Sequence, residues 1–156
     1  MATRLATPGR DAVDAVVAAA AALERLDESD RIAERLDPSW FVPQIGQGTL
    51  ALEARIDDDD TQRMLALIND EQAMTALTTE RAFLAELGTG CSIPAGAFAR
   101  VEGDEVHLHG VMVGIDGSKS VRAGLSGPSP EVLGHQLAVK LRDEMGGASL
   151  PGWDRD

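Results

Sequence analysis

Residues 80–99 read ERAFLAELGTGCSIPAGAFA, and this stretch decides the fold because the pattern changes from helix to strand within it. Its first residues continue a helical pattern, with apolar residues three and four positions apart, and Gly88 is a natural helix terminator. Small residues then surround Cys91, the one cysteine of the chain, before a strand-like pattern begins. The stretch therefore predicts a helix, a turn that carries the thiol, and a strand.

The flanking segments extend this pattern into an α+β unit. Upstream, residues 57–87 contain two helical patterns, and the acidic run Asp57 to Asp60 complements the dipole at a helix start. Downstream, three strand-like segments separated by glycine turns predict an antiparallel meander with helices packed on one face. An amphipathic helix capped by Ser129, with Pro130 in its first turn, closes the unit. The three strand-like segments are residues 95–103, 105–117 and 120–127.

Residues 1–56 do not form a complete unit by pattern. The segment DAVVAAA, residues 14–20, fits a buried strand and part of a helix equally well. SDRIAERL, residues 29–36, predicts a helix capped by Ser29 or Asp30. GQGTLALEARI, residues 46–56, predicts a tight turn followed by a strand. Because a lone strand and helix cannot bury both faces, we expect this region to pack on something outside the chain.

The charge of the chain excludes several classes of function. Its net charge is -12, so its surface is strongly acidic and should repel nucleic acid and anionic membranes. Arginine supplies twelve of the fourteen basic side chains, and its planar fork suits carboxylates, so anionic ligands would be bound by arginine. One cysteine cannot form an internal disulfide, and no apolar stretch is long enough to span a bilayer. These features predict a cytoplasmic protein with no membrane partner.

The residues alone leave the role of Cys91 open. A free cysteine is most often a small buried hydrophobic residue, and a nucleophilic thiolate in a glycine-rich turn is the alternative. His107 and His109 lie two apart on a predicted strand and share a face, a geometry that could bind a metal. No third ligand lies near them in sequence, and His135 is on a distant helix. We therefore expect strand histidines that face solvent, and no metal site.

Several segments, in one order, resemble the carboxy-terminal half of the hydroxymethylbilane synthase family, also called porphobilinogen deaminase. These segments are DAVVAAAAALERL, DRIAERL, VPQIGQGTLALEAR, TTERAFLAELGTGCSIPAGAFA and the closing DG turn and helix. The resemblance runs from Thr3 to about Gly147. Ser92 and Ala22 depart from it, since the family commonly has glutamine and glycine there.

The resemblance implies a role for three residues. Cys91 would carry a dipyrromethane cofactor through a thioether, and Arg4 and Arg25 would pair with the carboxylates of its pyrroles. Family enzymes join four porphobilinogen molecules to that anchor, release ammonia and then release hydroxymethylbilane for tetrapyrrole (porphyrin) biosynthesis. The family's catalytic aspartate belongs to the amino-terminal part, which has no counterpart here, so no catalytic residue is expected in this chain.

The resemblance also implies a domain organisation. Residues 1–56 would be a remnant of the family's second and first domains, of doubly wound α/β type and including the linking strand. Residues 57–150 would form the cofactor-attachment domain, and residues 151–156 a tail.

Three functional hypotheses follow. In the first, the chain is a transferase fragment that is inactive alone; its amino-terminal half is either lost through truncation or a miscalled start, or supplied by a separate chain. The alternative is a non-catalytic interaction module derived from the same domain, with an unmodified thiol. The third is a redox-sensing thiol, for which the chain offers no resolving cysteine.

Overall fold

The structure is a computed structural model of the 156-residue chain, and it describes residues 2–9, 12–88 and 93–153. The chain divides into two compact units, Met1–Leu36 and Asp37–Asp156. The domain bounds at residues 56 and 150, which concern the family's domains, stay a prediction. In the described ranges no helix combines the length and apolar character needed to cross a bilayer.

The first unit contains short helical segments. Helix α1 spans Ala2–Leu5, helix α2 spans Ala20–Glu24, and a single 3-10 turn spans Ser29–Arg31. The helix predicted over residues 29–36 is therefore wrong beyond its first turn. A helix of eight residues is marginal in water unless it buries an apolar face, and Leu36 in this segment remains exposed.

The remainder of the first unit has little regular structure. Residues 14–19, for which strand and helix were equally favoured, form neither, and the following alanines begin α2. Within the described part of this unit no strand is present, so the α/β pattern expected there is not seen. Side-chain contacts organise the segment instead: Arg31 Nη2 donates to the carbonyl oxygen of Leu5 at 2.7 Å, and Arg35 pairs with Glu24 at 2.5 Å.

The second unit contains the two helices predicted before the cysteine. Helix α3 spans Asp59–Ala66 and helix α4 spans Glu71–Leu87. Each begins at an aspartate whose carboxylate accepts backbone N–H groups of the first turn, Asp58 from Thr61 at 3.0 Å and Asp70 from Ala73 at 3.0 Å. Helix α4 ends at Gly88, whose φ of 106° lies in the region that favours glycine. The acidic run is thus part of a helix start, as predicted.

The sheet is the predicted antiparallel meander. Strands β1 (Ala95–Glu102), β2 (Glu105–Val113) and β3 (Ser120–Gly127) lie in sequence order, with β2 in the centre. Ala97 lies opposite Gly110 on β2, and Gly110 lies opposite Ala123 on β3. Because side chains alternate along a strand, this register places small and apolar residues on one face. Two tight turns connect the strands, as expected from their glycines.

Helix α4 and helix α5, which spans Pro130–Val139, pack against each other and against the sheet. The prediction of an α+β unit with helices on one face is confirmed. Gly134 allows the helices to approach closely, since a Cβ there would lie 2.4 Å from the carbonyl oxygen of Thr79. A π-helical turn, Lys140–Glu144, continues α5. The fully buried large side chains of the core are Phe83, Leu87, Leu108, Met112, Leu137 and Leu141.

The opposite face of the sheet is crossed by the segment before the Gly46 turn. Trp40 accepts a hydrogen bond from Arg122 Nη1 on β3 at 3.1 Å, and Pro43 accepts one from the backbone N–H of Ala97 on β1 at 3.1 Å. Gly96 lies beneath this crossing, where a Cβ would be 2.7 Å from the oxygen of Pro43. Residues 37–45 therefore belong to the same unit as the sheet.

Residues 49–68 expose most of their large apolar side chains. The predicted turn is present at residues 45–48, but residues 49–55 form no strand and pair with none of the three described strands. Ile56 is 94% exposed, and Leu67, directly after α3, is 85% exposed. The other exposed large apolar residues of this segment are Leu50, Leu52, Met64 and Ile68.

Candidate functional site

The helix that precedes the cysteine is firmly held at its end. Leu87 is fully buried in the core, and the backbone N–H of Gly88 donates to the carbonyl oxygen of Leu84 at 3.1 Å. Cys91, the candidate cofactor residue, lies outside the described residues, as do Thr89, Gly90 and Ser92. The amino-terminal side of the site is therefore anchored through the core of the second unit.

The chain after the cysteine is anchored to the same sheet. The carbonyl oxygen of Pro94 accepts a hydrogen bond from the backbone N–H of Val113 at 2.9 Å, and β1 begins at the next residue. Trp153 adds a second contact, since its Nε1 donates to the carbonyl oxygen of Val113 at 2.8 Å. Both flanks of residues 89–92 are thus fixed to one apolar core.

A buried carboxylate lies in the helix that leads to the cysteine. Glu80, on α4, is 8% exposed. Its Oε2 accepts the backbone N–H of Gly46 at 2.8 Å, and its Oε1 accepts that of Ala99 at 2.9 Å. Burial raises the pKa of this carboxyl above the ordinary range of a glutamate, and the two amides oppose the shift only in part.

A charged cluster lies at the carboxyl end of the same helix. Arg142, in the π-helical turn, donates through Nη1 to the Glu86 carboxylate at 2.7 Å and to the Glu86 carbonyl oxygen at 3.0 Å. His135 Nδ1 lies 2.8 Å from the other Glu86 oxygen, and Arg142 also binds Asp143. The Arg142 guanidinium lowers the pKa of Glu86. The cluster satisfies a carbonyl that the helix end would otherwise leave unpaired.

The two candidate cofactor arginines lie in the first unit. Arg4 is in α1 and Arg25 follows α2, and both are exposed. Arg31 and Arg35, in the same unit, are paired with glutamates, whereas no acidic partner is found for Arg4 or Arg25 among the described residues. Two guanidinium groups are therefore available to a carboxylate ligand, which fits a cofactor built from carboxylated pyrroles.

Comparisons with known proteins agree on one family. Residues 1–63 match the family model described as "Porphobilinogen deaminase, dipyromethane cofactor binding domain", and residues 74–143 match "Porphobilinogen deaminase, C-terminal domain". The chain belongs to the porphobilinogen deaminase family. The resemblance inferred from the sequence is thereby confirmed.

Curated porphobilinogen deaminases align with nearly all of this chain. That of Roseiflexus castenholzii is 44% identical over 152 residues, which are 96% of this chain and 50% of the relative. That of Trichlorobacter lovleyi is 39% identical over 150 residues, 95% of this chain and 48% of the relative. That of Geobacillus kaustophilus is 38% identical over 143 residues, 91% and 46% respectively. The chain spans about half the length of the deaminases that it matches.

The histidines do not form a metal centre in the described ranges. His107 and His109 share the outer face of β2, as predicted, but both are half-buried. His107 Nδ1 lies 2.7 Å from Ser126 Oγ, and its Nε2 lies 3.4 Å from Glu102. No cluster of three or more acidic, histidine or cysteine side chains suited to a metal occurs among residues 2–9, 12–88 and 93–153.

Glu80 and Arg142 are the site residues that sequence reasoning missed. Glu80 had a readable signal, because it falls on the apolar stripe of α4 together with Phe83 and Leu87. A charged residue on a buried stripe requires hydrogen-bond partners. Arg142 had no such signal, since its contact with Glu86 depends on the π-helical turn and on the packing of two helices.

Proposed function

We propose that this chain is the carboxy-terminal half of a cytoplasmic hydroxymethylbilane synthase, active in tetrapyrrole biosynthesis only when the other half of the fold is supplied. One observation carries the proposal: deaminases from other organisms align with almost the whole chain, and the two family models match it in the expected order. Arg4 and Arg25 support it, because neither has an acidic partner among the described residues and both are exposed.

In this proposal Cys91 holds a dipyrromethane through a thioether. Its thiolate is a soft nucleophile suited to the aminomethyl carbon of a pyrrole such as porphobilinogen. The C–N bond breaks as ammonia leaves with the pyrrole N–H proton. The Cys91 sulfur then forms the C–S bond to the electrophilic methylene, and the proton that the thiol has given up restores the pyrrole N–H. When bound, the dipyrromethane supplies the anchor to which four porphobilinogen units are joined.

Arg4 and Arg25 bind and orient carboxylates in this proposal. Acetate and propionate groups are planar anions, and a guanidinium can bind each through two parallel hydrogen bonds. The chain on both sides of residues 89–92 is anchored to the core of the second unit. No residue of this chain is assigned to the proton transfers of deamination.

The partner in this proposal is a separate chain that carries the amino-terminal half. The apolar side chains exposed along residues 49–68 support this, because an exposed apolar stretch of this kind marks an interaction site. The same observation favours the second candidate function, a non-catalytic module that binds another protein through this stretch. The two candidates differ in the state of Cys91, which would be unmodified in the second.

A fusion tests the proposal. The amino-terminal half of the Roseiflexus castenholzii deaminase is placed before this chain, and the intact mass and bilane formation from porphobilinogen are measured. We expect a two-pyrrole adduct that disappears with Cys91→Ser, and turnover in the fusion. The 156-residue chain alone should form no bilane, so turnover by the isolated chain would contradict the proposal.

The arginines provide a matched comparison in the same fusion. Arg4→Leu and Arg25→Leu should each reduce adduct or turnover at least tenfold, whereas Arg35→Leu should not, because Arg35 is paired with Glu24. A fusion that folds but carries an unmodified Cys91, beside a native Roseiflexus enzyme that carries the adduct, would reject the synthase and favour the binding module.

A further inference from the structure

Glu80 is a buried charge that the proposed chemistry does not use. Among the described residues it is the only charged side chain that is buried. Burying a carboxylate is costly unless hydrogen bonds replace its water, and Glu80 has two such bonds, both from backbone amides. These two hydrogen bonds identify the segments that Glu80 holds together, since they join α4 to the Gly46 turn and to β1.

The hydrogen bond from Ala99 satisfies an N–H group at the unpaired edge of β1. Strand β1 pairs with β2 on one side only, so N–H groups on its other side need acceptors. Ala97 donates to the oxygen of Pro43, and Ala99 donates to the Glu80 carboxylate. Helix α4 and strand β1, which precede and follow Cys91, are therefore tied directly by Glu80.

The other bond fixes the point at which the chain leaves the unit. Gly46 lies in the turn at residues 45–48 with a φ of 77°, and its N–H donates to Glu80. Before this turn, Pro43 is bonded to the sheet; after it, residues 50–56 expose Leu50, Leu52 and Ile56. The Gly46 hydrogen bond thus ties the chain to α4 just before the exposed segment begins.

We propose that Glu80 is a positioning residue that binds the Gly46 turn and the edge of β1 to α4. It thereby holds together the two elements that flank residues 89–92 and the point at which residues 49–56 leave the unit. Its importance for the reaction rests on the proposed function, since residues 49–68 would then meet the other half of the enzyme. The carboxylate is required because it accepts at both oxygens. A glutamine at this position keeps one acceptor, and its second group is a donor.

Amide hydrogen exchange on the full chain tests the structural part. Glu80→Ala and Glu80→Gln are compared with Glu71→Gln, an exposed control in the first turn of α4. In Glu80→Ala we expect exchange at Gly46 and Ala99 to accelerate about tenfold or more, with Leu137 in α5 unchanged. In Glu80→Gln at least one of the two amides should accelerate. Unchanged exchange at both, or uniform acceleration that includes Leu137 in both variants, would overturn the positioning role.

The Roseiflexus fusion tests the role in the reaction. Glu80→Gln should lower turnover at saturating porphobilinogen about tenfold while KM stays within about twofold, because Glu80 positions backbone and is not assigned to the substrate. If the unsubstituted fusion is inactive, the proposed function fails and the exchange result still decides the structural role. If the unsubstituted fusion is active and Glu80→Gln turns over equally well, Glu80 has no positioning role in the reaction.

Discussion

Residues 49–68 and residues 71–141 have comparable sequence patterns and opposite outcomes. Both contain amphipathic segments, and the helices α3 and α4 both begin at an aspartate cap. The apolar face of α4 is buried, with Phe83 and Leu87 fully inside the core, whereas Met64 in α3 and Leu67 directly after it remain exposed. An amphipathic pattern therefore predicts that a face will be buried without showing that the partner lies in the same chain.

The difference between the two regions is one of available partners. Helix α4 packs on α5 and on β1, so its apolar face is covered by elements of the same chain. Residues 49–55 precede α3 with an alternating apolar pattern, and no described strand pairs with them. Most helical stability in proteins comes from packing of the apolar face, so α3 should be the weaker helix.

The largest expected effect comes from one substitution made in both regions. Leu137→Ala removes a fully buried side chain, and the cavity should cost about 2–5 kcal/mol of unfolding free energy. Leu67→Ala, at an 85% exposed position, should change it by less than about 0.5 kcal/mol. Urea unfolding midpoints measure both. Similar losses at the two positions would show that residues 49–68 are packed in solution.

A glycine pair sharpens the same comparison. A Cβ at Gly134 would lie 2.4 Å from the carbonyl oxygen of Thr79, so Gly134→Ala must separate α4 from α5. We expect a loss of about 1–3 kcal/mol, even though alanine favours helix. Gly48→Ala, where a Cβ meets nothing within 4 Å, should be neutral or slightly stabilising. A neutral Gly134→Ala would contradict the close packing of α4 on α5.

The fold of the second unit was largely predictable from the sequence. Its signals are local: aspartates and Gly88 mark the ends of helices, and glycine turns separate the three strands. The segments that failed depend on distant partners. Residues 29–36 have the local pattern of a helix, but a short helix is stable only when an apolar surface covers one face. Residues 46–56 have the pattern of a turn and a strand, but a strand must pair with another strand. The local sequence does not show whether either partner is present.

The candidate site was predictable only in part. Cys91, Arg4 and Arg25 came from the family resemblance, and their roles stay predictions. Glu80 could have been found, because a carboxylate on an apolar stripe is conspicuous in sequence. The identity of its two donors could not, since Gly46 and Ala99 are brought together only by the packing of a turn and a strand on α4.

Removing the helix caps should give a smaller difference in unfolding free energy between the two regions. Asp70→Ala removes the acceptor for two N–H groups of α4 and should cost about 1 kcal/mol of global stability, because α4 carries the core. Asp58→Ala removes the equivalent cap of α3 and should lower helicity without moving the urea midpoint. Circular dichroism with urea titration distinguishes these results. A shifted midpoint in Asp58→Ala would mean that α3 unfolds together with the core.

The smallest expected effect compares two glutamates of α4 whose pKa values move in opposite directions. Hydrogen bonding to Arg142 lowers the pKa of Glu86, so its contribution to stability is present above the ordinary glutamate value of about 4.3 and is lost as pH falls through the lowered pKa. Burial raises the pKa of Glu80, so its contribution is present below about 4.3 and is lost as pH rises through the raised pKa.

Single substitutions isolate the two contributions. Relative to Glu86→Gln, the unsubstituted chain should gain stability as pH rises through the acid range; relative to Glu80→Gln, it should lose stability over a higher pH interval. Urea midpoints at a series of pH values give both differences, and Glu71→Gln, at an exposed position of the same helix, should show neither trend. If the Glu80 difference followed the direction of the Glu86 difference, its two amide bonds would outweigh burial. Folding would then favour the ionised carboxylate, and the stabilisation from its hydrogen bonds to Gly46 and Ala99 would increase as pH rises.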